Sequence, residues 1–71
     1  MKRYLVVIEE TNNGYSAYSP DVAGCVSTGR TREEVEKNMQ EAIEFHLKGL
    51  RLEGLRVPKP NSYSTYVEIL A

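Results

Sequence analysis

Short apolar runs at the start of the chain predict three strands joined by turns. We predict strand one over residues 2–10, strand two over residues 15–19 and strand three over residues 25–28. In the first run Tyr4, Val6 and Ile8 point to one face and apolar residues also point to the other, which is typical of a central strand covered on both sides. The Asn-Gly pair before strand two tolerates the backbone angles of a tight turn.

A long amphipathic helix is predicted next. Thr31 begins a capping box, in which its hydroxyl accepts from the Glu34 amide and the Glu34 carboxylate reaches back to the Thr31 N–H. Apolar residues then recur at a 3.6-residue period and predict one buried stripe. The stripe consists of Val35, Met39, Ala42, Ile43, His46, Leu47 and Leu50. We expect the helix to run to about Glu53, with Gly54 as its C′ residue.

Two prolines separate this helix from a last alternating run. Residues 57–60 are expected to be extended, because proline cannot continue a helix. Residues 61–70 alternate between two faces and are predicted to form strand four. The predicted order is therefore β-β-β-α-β in a single domain, residues 1–71. This order indicates an α+β fold, an antiparallel sheet with one helix packed on one face.

The small size of the chain predicts that a partner chain contributes to the stability of the fold. A domain of about this length buries only about 60% of its unfolded surface, and Cys25 is the single cysteine, so no intrachain disulfide can form. We therefore expect a homo-oligomer, a dimer or a tetramer, with Leu50, Leu52 and Leu55 as candidate contacts. A free thiol and no signal segment or apolar span indicate the cytoplasm and no membrane association.

Charge and residue chemistry disfavour enzymes and nucleic-acid binders. The formal net charge is −1, and nine scattered basic residues are balanced by ten acidic ones, unlike the clustered charge that binds phosphates. Asp21 is the sole aspartate, so no group of aspartates can form a two-metal site. Cys25 is interpreted as a buried strand cysteine and His46 as a half-buried helix residue. We expect no enzymatic activity, no metal and no cofactor.

The tyrosines and Asp21 each leave two interpretations open. The five tyrosines lie in predicted strands, where they could stack with RNA bases or contact another protein. The second interpretation is favoured because these strands are not basic. Asp21 follows Pro20 and could brace its own turn or present a carboxylate to a basic partner.

Residues 18–34 resemble the signature of the HicB-like antitoxins: a Pro-Asp-x-x-Gly-Cys run, a hydroxyl-rich strand, Gly-x-Thr and Glu-Glu. Residues 41–50 and 57–60 also resemble the family, so the likeness spans nearly the whole chain. The resemblance implies a truncated ribonuclease-H-like fold without the nuclease carboxylates. It also implies a partner, a small mRNA-cleaving toxin of the HicA type, which has a double-stranded-RNA-binding-like fold and a catalytic histidine. A mildly acidic surface would cover the basic RNA-binding face of that toxin.

We expect the toxin to contact the loop around Asp21, Gly24 and Arg30 and the outer sheet face with Tyr18. Arg30 stands where the family often has an acidic or neutral residue. Many family members carry a DNA-binding segment after strand four, and none follows here, so direct DNA binding by this chain is not expected. Two alternatives are a small RNA- or ligand-binding domain that uses the tyrosine-bearing sheet face, and an orphan structural homo-oligomer.

Overall fold

Three β-strands are followed by one α-helix. The computed structural model describes residues 1–71, with β1 at Val7–Thr11, β2 at Gly14–Tyr18, β3 at Val26–Gly29 and α1 at Arg32–Leu52. The strands form one antiparallel sheet, and α1 packs on one of its faces. The predicted α+β class is confirmed. Over its length α1 is not apolar enough to cross a membrane.

The strand order is β1-β2-β3, so β2 is the central strand. The prediction that the first strand is central is wrong, because β1 has a neighbour on one side only. Residues 2–6 are not paired, since β2 ends at Tyr18 opposite Val7 and Pro20 then turns the chain away. The Ser19 hydroxyl donates to the Leu5 carbonyl at 2.8 Å and holds this unpaired part of the chain against the loop.

The predicted strand at residues 61–70 does not pair with the sheet. No backbone hydrogen bond joins it to another strand. Its large side chains are exposed, with Tyr66 and Leu70 as open to solvent as in an unfolded chain (102% and 104% exposed). Alternation specifies the two faces of a strand, whereas a strand also needs a neighbour for its backbone groups. Residues 61–70 pair with no other strand of the chain. We call residues 63–71 the extended segment.

The core lies between α1 and the inner face of the sheet, and the predicted helical stripe supplies most of it. The buried hydrophobic residues are Ala17, Val22, Cys25, Val35, Met39, Ile43 and Leu47. Tyr4, Val6 and Ile8 pack against this core from one face of the first run, as predicted. Only 8 of the 71 residues are buried, so the core is small even for a domain of this size.

Both ends of α1 are closed by local hydrogen bonds. The Thr31 hydroxyl accepts from the Glu34 N–H at 3.1 Å, as predicted. The Glu34 carboxylate, however, accepts from the N–H of Arg30 at 2.8 Å rather than from Thr31, one residue further out than expected. Gly54 adopts φ +71°, and the Leu55 N–H donates to the Leu50 carbonyl, which confirms the predicted end of the helix.

Candidate protein-binding surface

The face of the sheet opposite α1 is uncovered. Pairing of Val7 with Tyr18 and of Tyr18 with Val26 places these three side chains in a row across the sheet. The next row consists of Glu9, Ser16 and Thr28. We call these six residues the outer face. Tyr18 is 43% exposed and Val26 is 68% exposed, so its apolar centre is open to solvent.

Tyrosine side chains divide between the two faces of β2. Tyr15 packs against the core and Tyr18 lies on the outer face, as the alternation predicts. The Tyr4 hydroxyl donates to the Pro58 carbonyl at 2.6 Å, and that ring packs against the core. Tyr63 and Tyr66 lie outside the sheet. The outer face therefore carries one tyrosine beside an acidic residue, which suits a protein contact better than a base-stacking platform.

Asp21 ties the loop between β2 and β3 to the segment after α1. One oxygen of its carboxylate accepts from the N–H groups of Asn61 and Ser62 at 2.9 and 2.8 Å, and the other accepts from the Ser62 hydroxyl at 2.8 Å. The backbone N–H of Ser62, followed by its hydroxyl, holds the pKa of Asp21 below its ordinary value. Asp21 thus braces a distant segment, whereas its own turn is closed by the Val22 N–H bonding to the Ser19 carbonyl.

The four candidate contact residues do not form one cluster. Gly24 adopts φ +77°, a conformation that favours glycine, and lies in the same exposed loop as Asp21. Tyr18 ends the strand that enters this loop. Arg30 lies beyond the other end of β3 and lines a polar cleft with Thr11 and Glu34. Contact of these residues with a partner stays a prediction, and the structure separates Arg30 from the other three.

Of the six outer-face residues, only Tyr18 was among the named candidates. Val26 and Val7 flank Tyr18 across the sheet and complete its apolar row. Alternation within β3, where Val26 and Thr28 point away from Ser27, was a signal that could have identified Val26. The partnership of Asp21 with Ser62 joins residues 41 positions apart and has no such local signal.

Neither Cys25 nor His46 belongs to a reactive cluster. Cys25 is buried, and burial raises the pKa of its thiol, in agreement with its interpretation as a buried cysteine. His46 is half-buried along α1. No three histidine, cysteine, aspartate or glutamate side chains converge in the structure.

Comparison with known proteins adds a family match. The sequence model of the family described as "HicB_like antitoxin of bacterial toxin-antitoxin system" matches residues 4–69. The chain is 41% identical over 64 residues to a 14.9 kDa protein of the rep-hol intergenic region of Haemophilus phage HP1. That match covers 90% of this chain and 48% of the phage protein, so the chain spans about half its length. The chain is also 44% identical over 64 residues to a UPF0150 protein of Helicobacter pylori, covering 89% of each.

A solved structure is also similar to this one. A chain of the HicA3 and HicB3 toxin-antitoxin complex superposes with a TM-score of 0.72 at 35% sequence identity. The superposition covers 84% of this chain and 70% of that chain.

Proposed function

The chain belongs to the family of HicB-like antitoxins of bacterial toxin–antitoxin systems, and we propose that it neutralises a HicA-type, mRNA-cleaving toxin by covering the toxin's RNA-binding and catalytic face. The observation that carries this proposal is the uncovered outer face, where Tyr18 and Val26 are exposed side by side. The structural similarity of this chain to a chain of a toxin-antitoxin complex supports a partner of this kind.

The outer face has the composition of a protein interface. An aromatic residue lies at its centre, aliphatic residues flank it, and polar residues form the next row. Interfaces typically place aromatic anchors at a desolvated centre and polar groups at the rim. Tyr18 is the proposed anchor, because it lies on the central strand between Val7 and Val26.

Charge supports the same surface. Glu9 lies in the second row of the outer face. The proposed partner surface binds RNA and is therefore basic, so the Glu9 carboxylate would face cations. Opposite charges on two surfaces speed their association and favour one partner over others.

We propose further that the chain acts by binding alone and catalyses no step. The Asp21 carboxylate is engaged by Ser62 and Asn61, and the Cys25 thiol is buried. Inhibition would then be stoichiometric: one antitoxin binding site silences one toxin. RNA incubated with the chain alone should stay intact.

The test pairs an outer-face variant with a control on the helix. A HicA-type toxin is co-expressed and co-purified with the chain, and the affinity of the complex and the cleavage of mRNA are measured. Tyr18→Ala should weaken toxin binding about 10-fold or more, the usual effect of removing an aromatic anchor, and restore cleavage. Phe45→Ala, at an 81% exposed position of α1, should do neither. Equal affinities of both variants and the unmodified chain would refute the outer face as the binding site.

A further inference from the structure

We propose that the extended segment, residues 63–71, is a strand exchanged between two copies of this chain, and that it pairs with the free edge of β1 in the other copy. The exchange would complete the β-β-β-α-β order with a fourth strand supplied by the partner. This inference concerns the chain alone and does not depend on the toxin.

The extended segment has the pattern of a strand and lacks its neighbour. Tyr63, Val67 and Ile69 are 87%, 74% and 78% exposed, and Tyr66 and Leu70 are fully exposed. Contiguous apolar exposure on this scale marks an interaction site. The molecule is elongated and measures 49 × 27 × 20 Å. Its long axis exceeds the roughly 31 Å length of the 21-residue α1, as expected for a chain whose extended segment projects from the core.

The free edge of β1 can accept such a strand. No hydrogen bond of the chain reaches the side of β1 that faces away from β2. An edge strand presents unpaired N–H and C=O groups that template a further strand. At about 3.3 Å per residue, residues 65–70 span roughly 20 Å, enough to pair with all five residues of Val7–Thr11.

The other edge of the sheet is not equally free. Asn38 of α1 donates to the Thr28 carbonyl at 2.9 Å, and Glu34 accepts from the Arg30 N–H at the end of β3. The start of α1 thus occupies polar groups along β3. This difference assigns the incoming strand to β1.

The place where the extended segment leaves the folded core favours an exchange between two copies related by a two-fold axis. Asp21 fixes Asn61 and Ser62, and residues 62–64 line a shallow pocket together with residues 3–6, just before β1. The extended segment therefore leaves each copy beside the start of its own β1 edge. Because every copy has one free strand and one free edge, a symmetric dimer satisfies both at once.

The area available is that of a specific interface. Each aromatic side chain can bury about 150–250 Å², and each extended segment carries two tyrosines besides its aliphatic residues. Two reciprocal segments thus approach the roughly 1,200–2,000 Å² of a stable interface. Backbone pairing along β1 adds to this, as in other strand-addition complexes.

The first test measures mass in solution, without the toxin, by light scattering after gel filtration. The chain should run as a dimer, twice the 8.1 kDa of one copy. Val67→Asp should weaken dimerisation at least 100-fold while the helical circular dichroism signal of α1 stays unchanged, because Val67 touches no core residue within one copy. Phe45→Asp, at a position of similar exposure on α1, should leave the dimer intact. A monomer, or a dimer that Val67→Asp does not weaken, would overturn the exchange.

The second test locates the strand. In a dimer mixed from isotope-labelled and unlabelled copies, filtered nuclear Overhauser effects should connect residues 65–70 of one copy to Val7–Thr11 of the other. A monomer whose residues 65–70 contact their own β1 would replace exchange by intrachain pairing. A dimer without these intermolecular contacts would place the interface elsewhere. Either result would contradict the strand exchange. Neither would bear on toxin binding, which the Tyr18→Ala experiment tests separately.

Discussion

Gly29 sets how closely the helix approaches the sheet. A Cβ atom at Gly29 would lie 2.5 Å from the Val35 nitrogen and 2.8 Å from its Cα. Both are backbone atoms of the first helical turn, so neither can rotate away as a side-chain tip could. The glycine therefore permits the contact that buries Val35 completely.

Gly29→Ala should consequently destabilise the fold by about 1–3 kcal/mol, the usual range for overpacking a filled core. Gly49→Ala is the matched control, since a Cβ there meets nothing within 4 Å and the residue lies inside α1. That control should stabilise the protein by about 0.5–1 kcal/mol, because alanine favours the helix over glycine. Urea unfolding measures both. A Gly29→Ala protein as stable as the unmodified chain would disprove the close-approach role.

Residue chemistry was predictable where it depends on near neighbours. The Thr31 cap, the turn at Gly54 and the stripe from Val35 to Leu47 follow from contacts within about four positions, and all are found. Asp21 was not predictable in this way. Its partners, Asn61 and Ser62, are brought to it only by the path of the chain after α1.

At the scale of elements, the Asp21 carboxylate is the anchor between the loop after β2 and the start of the extended segment. Three hydrogen bonds converge on it, and they lower its pKa because they favour the charged form. A carboxyl with a lowered pKa contributes stability that is present above its ordinary value of 3.8 and is lost as pH falls through the lowered value.

The anchor should therefore persist at neutral and mildly acidic pH and release only below pH 3.8. The amide resonance of Ser62, followed by NMR during acid titration, should report this release. In Asp21→Ala the Ser62 amide should exchange with solvent faster at pH 7 and show no such transition. Glu41→Ala, an exposed change on α1, should leave the titration as it is. A Ser62 transition with its midpoint above pH 3.8 would contradict the sign of the shift.

For the molecule as a whole, the outer face and its acidic residue lead to a prediction about association with the proposed toxin partner. Exposed charges act over roughly 10 Å at 0.1 M salt and less at higher ionic strength. If Glu9 faces the basic surface of the proposed toxin partner, the association rate should fall with added salt while dissociation changes little.

Glu9→Gln should flatten that salt dependence. Glu41→Gln on α1 serves as the control, because it removes one of the chain's ten acidic charges from a surface outside the proposed contact. Stopped-flow mixing at several salt concentrations measures the slopes. Identical slopes for Glu9→Gln and the unmodified chain would show that this carboxylate does not face the toxin.

The order of the strands in the sheet could not be predicted from the sequence. The apolar run at the start predicted a central strand, and it forms an edge strand because residues 61–70 do not pair beside it. Continuous apolar residues indicate that both faces of a strand are covered, but they do not specify the covering group. A second copy, in the exchange proposed above, would supply the missing neighbour.

Local periodicity was enough to predict the amphipathic helix with its Thr31 cap and its end at Gly54, the three short strands, and the faces to which Tyr15 and Tyr18 point. The folded chain was needed to learn which strand is central, that residues 61–70 remain unpaired, and that Asp21 bonds to Ser62. The difference lies in the range of the interactions. Helical and strand periods arise between residues a few positions apart, whereas strand pairing and the Asp21 anchor depend on groups that only the folded chain brings together.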